Sequence, residues 1–264
     1  MNKNAPIGIF DSGVGGITVL GRAVEQMPQE NFIYYADTAH FPYGDKTREE
    51  VKEYVFAAAE QIGKKSPKML VIACNTATAA AINDLRERFD FPVLGIEPAL
   101  KPAVEKADSG NIAVMATSLT LREEKFRRLF QRYAEMGQGD IINLPAAGLA
   151  DLVEEGHYND DVGRNYLREL FHGVKPDTIV LGCTHYLFML PLIRELFPDA
   201  AVIDGGEGLA RNILRTLERE NMCADGEKGS IEVMSSAPAF LPRFDGYFQD
   251  IQSILKMLPH KIES

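Results

Sequence analysis

Leu70-Val71-Ile72-Ala73-Cys74-Asn75-Thr76 and Ile179-Val180-Leu181-Gly182-Cys183-Thr184-His185 read as two copies of one unit. Each is an apolar run of strand length that ends on a small residue and a cysteine. Hydroxyl, amide or imidazole side chains come next. The pattern after each cysteine predicts a helix, over 79–89 in the first copy and 188–197 in the second. A strand that ends in a polar tip before a helix puts that tip at the carboxyl edge of a parallel sheet, where open α/β sheets bind ligands.

The flanking sequence repeats the same alternation. Ile7-Gly8-Ile9-Phe10 predicts a buried strand that empties into Asp11-Ser12-Gly13-Val14-Gly15-Gly16, then a helix over 18–27 closed by Pro28. Strands are expected at 32–36 and 92–97. Thr47 and Glu50 form a capping box for a helix whose apolar face is Val51, Tyr54, Val55, Ala58, Ala59 and Ile62. The pattern restarts with a strand at 111–115 ending in Ala116-Thr117. A second capping box, Thr120 with Glu123, is expected to open a helix with Phe126, Leu129, Phe130 and Tyr133 on one face. Further strands are expected at 141–144, 201–204 and 231–234, with helices over 147–155, 162–171 and 209–221. Ser12 maps to Thr117 at an offset of 105 residues and Cys74 to Cys183 at 109, so the chain reads as an internal duplication. The expected fold is α/β: two pseudosymmetric three-layer α/β/α domains with mainly parallel sheets. Residues 1–98 and 208–264 are assigned to the first domain and 99–207 to the second, with the active site in the cleft between them.

With 264 residues and 45% hydrophobic content, the chain can bury a sizeable core without disulfides. A net charge of −10 without basic clusters argues against a general nucleic-acid or anionic-membrane surface. No signal-peptide pattern and no apolar run near the ~20 residues of a membrane helix are visible, so a cytoplasmic location is expected. The three cysteines are not in metal-type spacing, so neither a metal nor an organic cofactor is expected.

Two thiols at facing strand tips could take a proton from one face of a carbon and return one to the other, which is stereoinversion by general acid–base catalysis. A helix N-terminus can lower a thiol's reference pKa of ~8.5, so each cysteine sits where a thiolate could form. Asp11 is placed to orient or exchange a proton with Cys74, and His185 to do the same for Cys183. Backbone N–H groups around Ser12-Gly13, Asn75-Thr76 and Thr184-His185 would form turns that bind a carboxylate. The glycine turn Gly13-Val14-Gly15-Gly16 lacks the third glycine of a dinucleotide fingerprint, and no phosphate-loop motif is present.

The stretches Gly8-Ile9-Phe10-Asp11-Ser12-Gly13-Val14-Gly15-Gly16, Asp37-Thr38 through Pro42-Tyr43-Gly44-Asp45-Lys46, Ala73-Cys74-Asn75-Thr76-Ala77, Gly95-Ile96-Glu97-Pro98 and Gly182-Cys183-Thr184-His185-Tyr186 closely resemble the glutamate racemase family. The resemblance implies a cofactor-independent enzyme that interconverts L- and D-glutamate, supplies D-glutamate for peptidoglycan in the bacterial cytoplasm, and forms a homodimer. It makes Cys74 the base for the D-isomer and Cys183 the base for the L-isomer, with Asp11 and His185 assisting. It assigns substrate binding to Asp11, Ser12, Tyr43, Gly44, Asn75, Thr76, Thr184 and His185, and to Thr117 or Thr120. It places the acid Glu154 near the histidine. The chain departs from the family pattern at Leu144, Phe126 and Ser235-Ser236-Ala237-Pro238, none of which touches the two thiols. Two alternatives stand beside this reading: a racemase of another amino acid such as aspartate, and a non-catalytic amino-acid-binding regulatory protein.

Overall fold

The computed structural model describes residues 2–97, 99–106, 110–122, 124–134 and 140–258. Pro98 and Glu123, both named in the sequence patterns above, lie outside them, as do the side chains of Leu129 and Tyr133. The first half alternates β1 (Ile7–Asp11), α1 (Ile17–Gln26), β2 (Phe32–Ala36), α2 (Arg48–Gly63), β3 (Met69–Ile72), α3 (Asn75–Arg88) and β4 (Val93–Gly95). After α4 (Leu100–Lys106) the order repeats as β5 (Ile112–Ala116), α5 (Ser118–Arg122), α6 (Glu124–Ala134), β6 (Ile141–Pro145), α7 (Leu149–Glu154), α8 (Asp161–Leu170), β7 (Thr178–Leu181), α9 (Leu190–Leu196) and β8 (Ala201–Asp204). The chain closes with α10 (Gly206–Arg219), β9 (Ile231–Ser235) and α11 (Phe244–Leu255).

Among the described residues every strand pairing is parallel. One sheet runs β4-β3-β1-β2-β9 and the other β6-β5-β7-β8. Setting β9 aside, the two orders are the same once β5–β8 are matched to β1–β4, as the duplicated sequence predicts. The strands alternate their faces. Ile7 and Ile9 pack with α1 on one side of the first sheet, while Phe10 packs with α2 and α3 on the other. In the second sheet Ile112 and Val114 meet α4 and Phe126, while Ala113 and Met115 face α7 and α8. The inner faces of both sheets belong to one continuous core, which holds the two units together. β9 pairs with β2 and α11 packs on α1, so the C-terminal segment returns to the first unit.

The sequence reading needs four adjustments. Helix α3 starts at Asn75 rather than 79, because the Cys74 sulfur itself caps it, accepting from the Ala77 N–H at 3.4 Å. The segment after Cys183 is first a 3-10 helix, Thr184–Met189, and only then α9 with Pro191 in its first turn. Helix α10 begins at Gly206, because Asp204 Oδ1 accepts from the Gly206 N–H at 2.7 Å. Thr120 opens no helix: it lies inside α5, and its N–H donates to Thr117 Oγ1 at 3.2 Å, so Thr117 is the cap. The Thr47–Glu50 capping box forms as expected.

One buried and one partly buried ion pair fix this frame. Lys68 and Glu30 are both 0% exposed, 2.5 Å apart, at the amino edge of the first sheet. Lys68 also donates to the Met222 and Lys3 carbonyls at 2.8 and 2.5 Å, and Glu30 accepts from the Ala224 N–H at 2.7 Å. Arg22 on α1 grips Asp204 at the end of β8 through two parallel hydrogen bonds of 2.5 and 2.7 Å. Beside it a Cβ on Gly205 would strike the Glu97 carbonyl, so the two chain crossings between the units run in contact.

Candidate active site

The carboxyl edges of the two sheets face one cleft. On the first wall, Cys74 lies just past β3 as the N-cap of α3 and Asp11 ends β1, the central strand, and both are buried. Ser12 bridges them: its Oγ lies 3.7 Å from Cys74 Sγ and 3.5 Å from Asp11 Oδ1. Asp11 Oδ1 also accepts from the Gly13 N–H at 3.0 Å. Burial pushes the Cys74 thiol well up, and the Asp11 and Cys183 charges add to this. The Ala77 N–H at the helix start and Ser12 pull the other way but do not prevail. Burial therefore outweighs the helix N-terminus at Cys74. Burial also raises the Asp11 carboxyl, with His185, Gly13 and Thr184 opposing.

The second wall is built differently. Cys183 Sγ lies 3.7 Å from His185 Nδ1, and His185 Nε2 meets Glu154 Oε1 at 3.0 Å. Glu154 Oε1 accepts also from the Val14 N–H of the first unit, at 2.7 Å. Burial of His185 disfavours the imidazolium, but the hydrogen bonds and charges of Cys183 and Glu154 outweigh it. The imidazole is held well above its usual value of 6.5. His185 thus stands between Cys183 and Glu154 in a cysteine–histidine–glutamate line, with its affinity for a proton raised by those two neighbours.

Hydroxyls join the walls. Thr184 Oγ1 donates to Asp11 Oδ2 at 3.0 Å across the cleft. Thr76 Oγ1 lies 3.3 Å from Thr117 Oγ1 and 3.5 Å from Thr120 Oγ1, and Thr117 donates to Thr120 at 3.0 Å. Both threonines thus belong to one cluster with Thr76. Gly44 approaches this cluster closely, since a Cβ there would stand 3.2 Å from Thr117 Cβ. Asn75 is buried, and its Oδ1 accepts no hydrogen bond. It borders a small cavity shared with Thr18, Ile96, Cys183, Thr184 and Asp204. Tyr43 stands on the loop beside Gly44. Its phenol is turned onto Asp37 Oδ2 at 2.5 Å, and burial beside that carboxylate drives its proton affinity far up, so it is a brace of the loop.

Sequence reasoning missed four neighbours. Phe41 tilts against the His185 ring at 5.3 Å, Asp37 anchors Tyr43 and His40, and Thr18 and Asp204 border the cavity. Asp204 had a usable signal, since it ends a strand of the second copy as Glu97 follows one in the first. Among the described residues no group of three or more His, Cys, Asp and Glu side chains could hold a metal ion, and no helix is long and apolar enough to cross a membrane.

The Asp/Glu/Hydantoin racemase family matches residues 17–213. A glutamate racemase of Clostridium perfringens is 45% identical over 240 residues, which cover 89% of this chain and 92% of that one. One from Clostridium acetobutylicum is 46% identical over 239 residues, covering 89% and 93%. Among solved structures, Thermus thermophilus glutamate racemase in complex with beta-chloro-D-alanine has a TM-score of 0.76 at 30% identity, covering 100% of this chain and 96% of that one. Escherichia coli glutamate racemase in complex with L-glutamate and activator UDP-MurNAc-ala has a TM-score of 0.81 at 30% identity, covering 92% and 95%. The matched region spans both cysteine-bearing walls, and the chain is an enzyme of the Asp/Glu/Hydantoin racemase family.

Proposed function

We propose that this protein is a glutamate racemase that interconverts L- and D-glutamate with Cys74 and Cys183 as its two bases. The observation that carries this reading is the unequal pairing of the thiols. Cys74 is buried beside Asp11 and kept protonated, while Cys183 stands beside the His185–Glu154 pair. A two-base inversion works with one thiol and one thiolate at a time, and the unlike partners of the two cysteines supply the asymmetry that cycle uses. In the L-to-D direction the Cys183 thiolate takes the α-proton, and the electron pair moves onto the α-carbon and its carboxylate. The Cys74 thiol then delivers its proton to the opposite face. The D-isomer leaves with Cys183 as thiol and Cys74 as thiolate, and the reverse reaction uses that state.

The surrounding groups fit an amino dicarboxylate. Asn75 Oδ1, buried without a donor, suits the substrate ammonium. The Thr76–Thr117–Thr120 cluster and the N–H groups at the start of α3 suit a carboxylate. Ser12 and Thr184 hold Asp11 between the walls. The relatives named glutamate racemase, and the Escherichia coli structure with L-glutamate, support glutamate over another amino acid. In this reading residues 1–98 with 208–264 and residues 99–207 form the two bodies, the enzyme works as a cytoplasmic homodimer, and its D-glutamate feeds peptidoglycan synthesis.

The test is incubation with L-glutamate in deuterated water, following optical rotation and α-deuterium together. Loss of rotation with deuterium in the product is expected. Cys74→Ala and Cys183→Ala should each lower turnover by on the order of 10³-fold or more while leaving the melting curve in place. Wild-type-like racemisation in either variant would sink the two-thiol mechanism.

A further inference from the structure

Helix α11 lies outside the cleft, yet Tyr247 on it and Arg243 at its N-cap end on the second wall. Glu154 is the last residue of α7, so its carbonyl has no later helical N–H to accept from. That carbonyl accepts from Tyr247 Oη at 2.9 Å and from the Arg243 guanidinium at 2.5 Å. Arg243 donates to the Tyr247 hydroxyl as well, which closes a small ring of three partners. Ordinary capping of a helix end needs one donor from nearby in sequence, whereas these come from about 90 residues further on.

The same residue holds the imidazole through its side chain, by the Oε1 that bonds Val14 N–H and His185 Nε2. There is no slack on that side, because a Cβ on Gly13 would overlap the Glu154 carboxylate. Tyr247 also touches the histidine's own segment. Its ring stands edge-on to Phe188 at 5.9 Å, three residues after His185 in the 3-10 helix. The helix is seated on the first unit, where a Cβ on Gly21 would lie 3.1 Å from Leu255.

We propose that Tyr247 and Arg243 are positioning residues for the second wall: they fix the Glu154 backbone, and through its carboxylate they hold His185 against Cys183. The assignment of His185 to catalysis rests on the racemase reading; the mechanical link does not. C-terminal helix and cleft are therefore coupled through a single residue held at both ends. The charged and titratable groups facing His185 are Cys183 on its own segment, Glu154 and Asp151 on α7, and Asp11 on β1.

The test uses the full chain. Tyr247→Phe removes the hydroxyl and keeps the ring on Phe188, and Tyr247→Phe with Arg243→Lys weakens both donors while preserving the charge. The readouts are the NMR titration of the His185 imidazole, the iodoacetamide rate at Cys183 by peptide mapping, and kcat against KM for glutamate. Loosening Glu154 should lower the His185 pKa by about one pH unit in the double variant, a tenfold change in proton affinity. Cys183 should then alkylate more slowly, and kcat should fall roughly fivefold in Tyr247→Phe with KM little changed. A purely structural role would lower the melting temperature and leave the titration and alkylation rate at their wild-type values, which would overturn the proposal. A shifted titration in a protein that never racemises glutamate would retain the link and reject the racemase reading. Should the double variant fail to fold, Tyr247→Phe alone decides, with an unshifted His185 titration as the refuting result.

Discussion

Lys68→Met should be among the most damaging single substitutions far from the cleft. Lys68 is fully buried, and its ammonium serves three oxygens: Glu30 Oε2 and the carbonyls of Lys3 and Met222. Methionine fills nearly the same space but leaves the Glu30 carboxylate with only the Ala224 N–H. Removing one partner of a buried pair costs about 3–5 kcal/mol, because the other charge is stranded. For a chain of this size that corresponds to a fall of about 6–20 °C in the melting midpoint, at about 2–4 °C per kcal/mol. Adding Glu30→Gln should recover part of the loss, since an amide is less costly to strand than a carboxylate. The pair lies at the amino edge of the first sheet and the thiols at its carboxyl edge, so turnover at 25 °C should stay near wild type. Differential scanning calorimetry of the two single variants and the double checks this. A cost below about 1 kcal/mol for Lys68→Met would refute the reasoning, since the stranded charge would then have found water.

Three further outcomes are expected. Gly15→Ala would drive a methyl into His185 Nδ1 and Thr184 Oγ1, so racemisation should fall by at least about tenfold with circular dichroism unchanged; near-normal turnover would mean the second wall can yield. His185 has a folded pKa raised above its unfolded value of about 6.5. Its contribution to stability is thus complete below that pH and is lost as pH rises through the folded value, so His185→Asn should flatten the alkaline fall in the melting midpoint. Arg22→Met leaves the partly exposed Asp204 with the Gly206 N–H and should cost about 1–2 kcal/mol by chemical denaturation, whereas Arg22→Lys, which keeps the charge but not the two-pronged grip, should cost less.

Much of this architecture was legible because parallel sheets buried on both faces leave plain apolar runs. The runs at Ile7, Leu70, Ile112 and Ile179 each led to a polar tip, and those tips are the ones that meet in the cleft. What sequence could not supply was the environment of each tip. Cys74 and Cys183 look equivalent in the chain, yet one caps an α-helix beside a carboxylate and the other precedes a 3-10 helix beside an imidazole. Burial and Asp11 push the Cys74 thiol up, while Glu154 from a distant segment acts on the imidazole beside Cys183. Tyr43 shows the same limit: its position in the motif was plain, but only the fold reveals that Asp37 claims its hydroxyl. Tyr247 carried no signal at all, since its partner is the backbone of a residue 93 positions away.

The unequal walls also bear on what the enzyme can and cannot bias. Enantiomers have equal free energy in water, so detailed balance ties the kcat/KM of the two directions to one value. No difference in the settings of Cys74 and Cys183 can make the catalyst favour one product at equilibrium. What the difference can set is which half of the cycle is slower and which enantiomer saturates the enzyme at lower concentration. Two like scaffolds with unlike walls can thus set occupancy under load, while the final ratio of mirror images stays fixed beyond their reach.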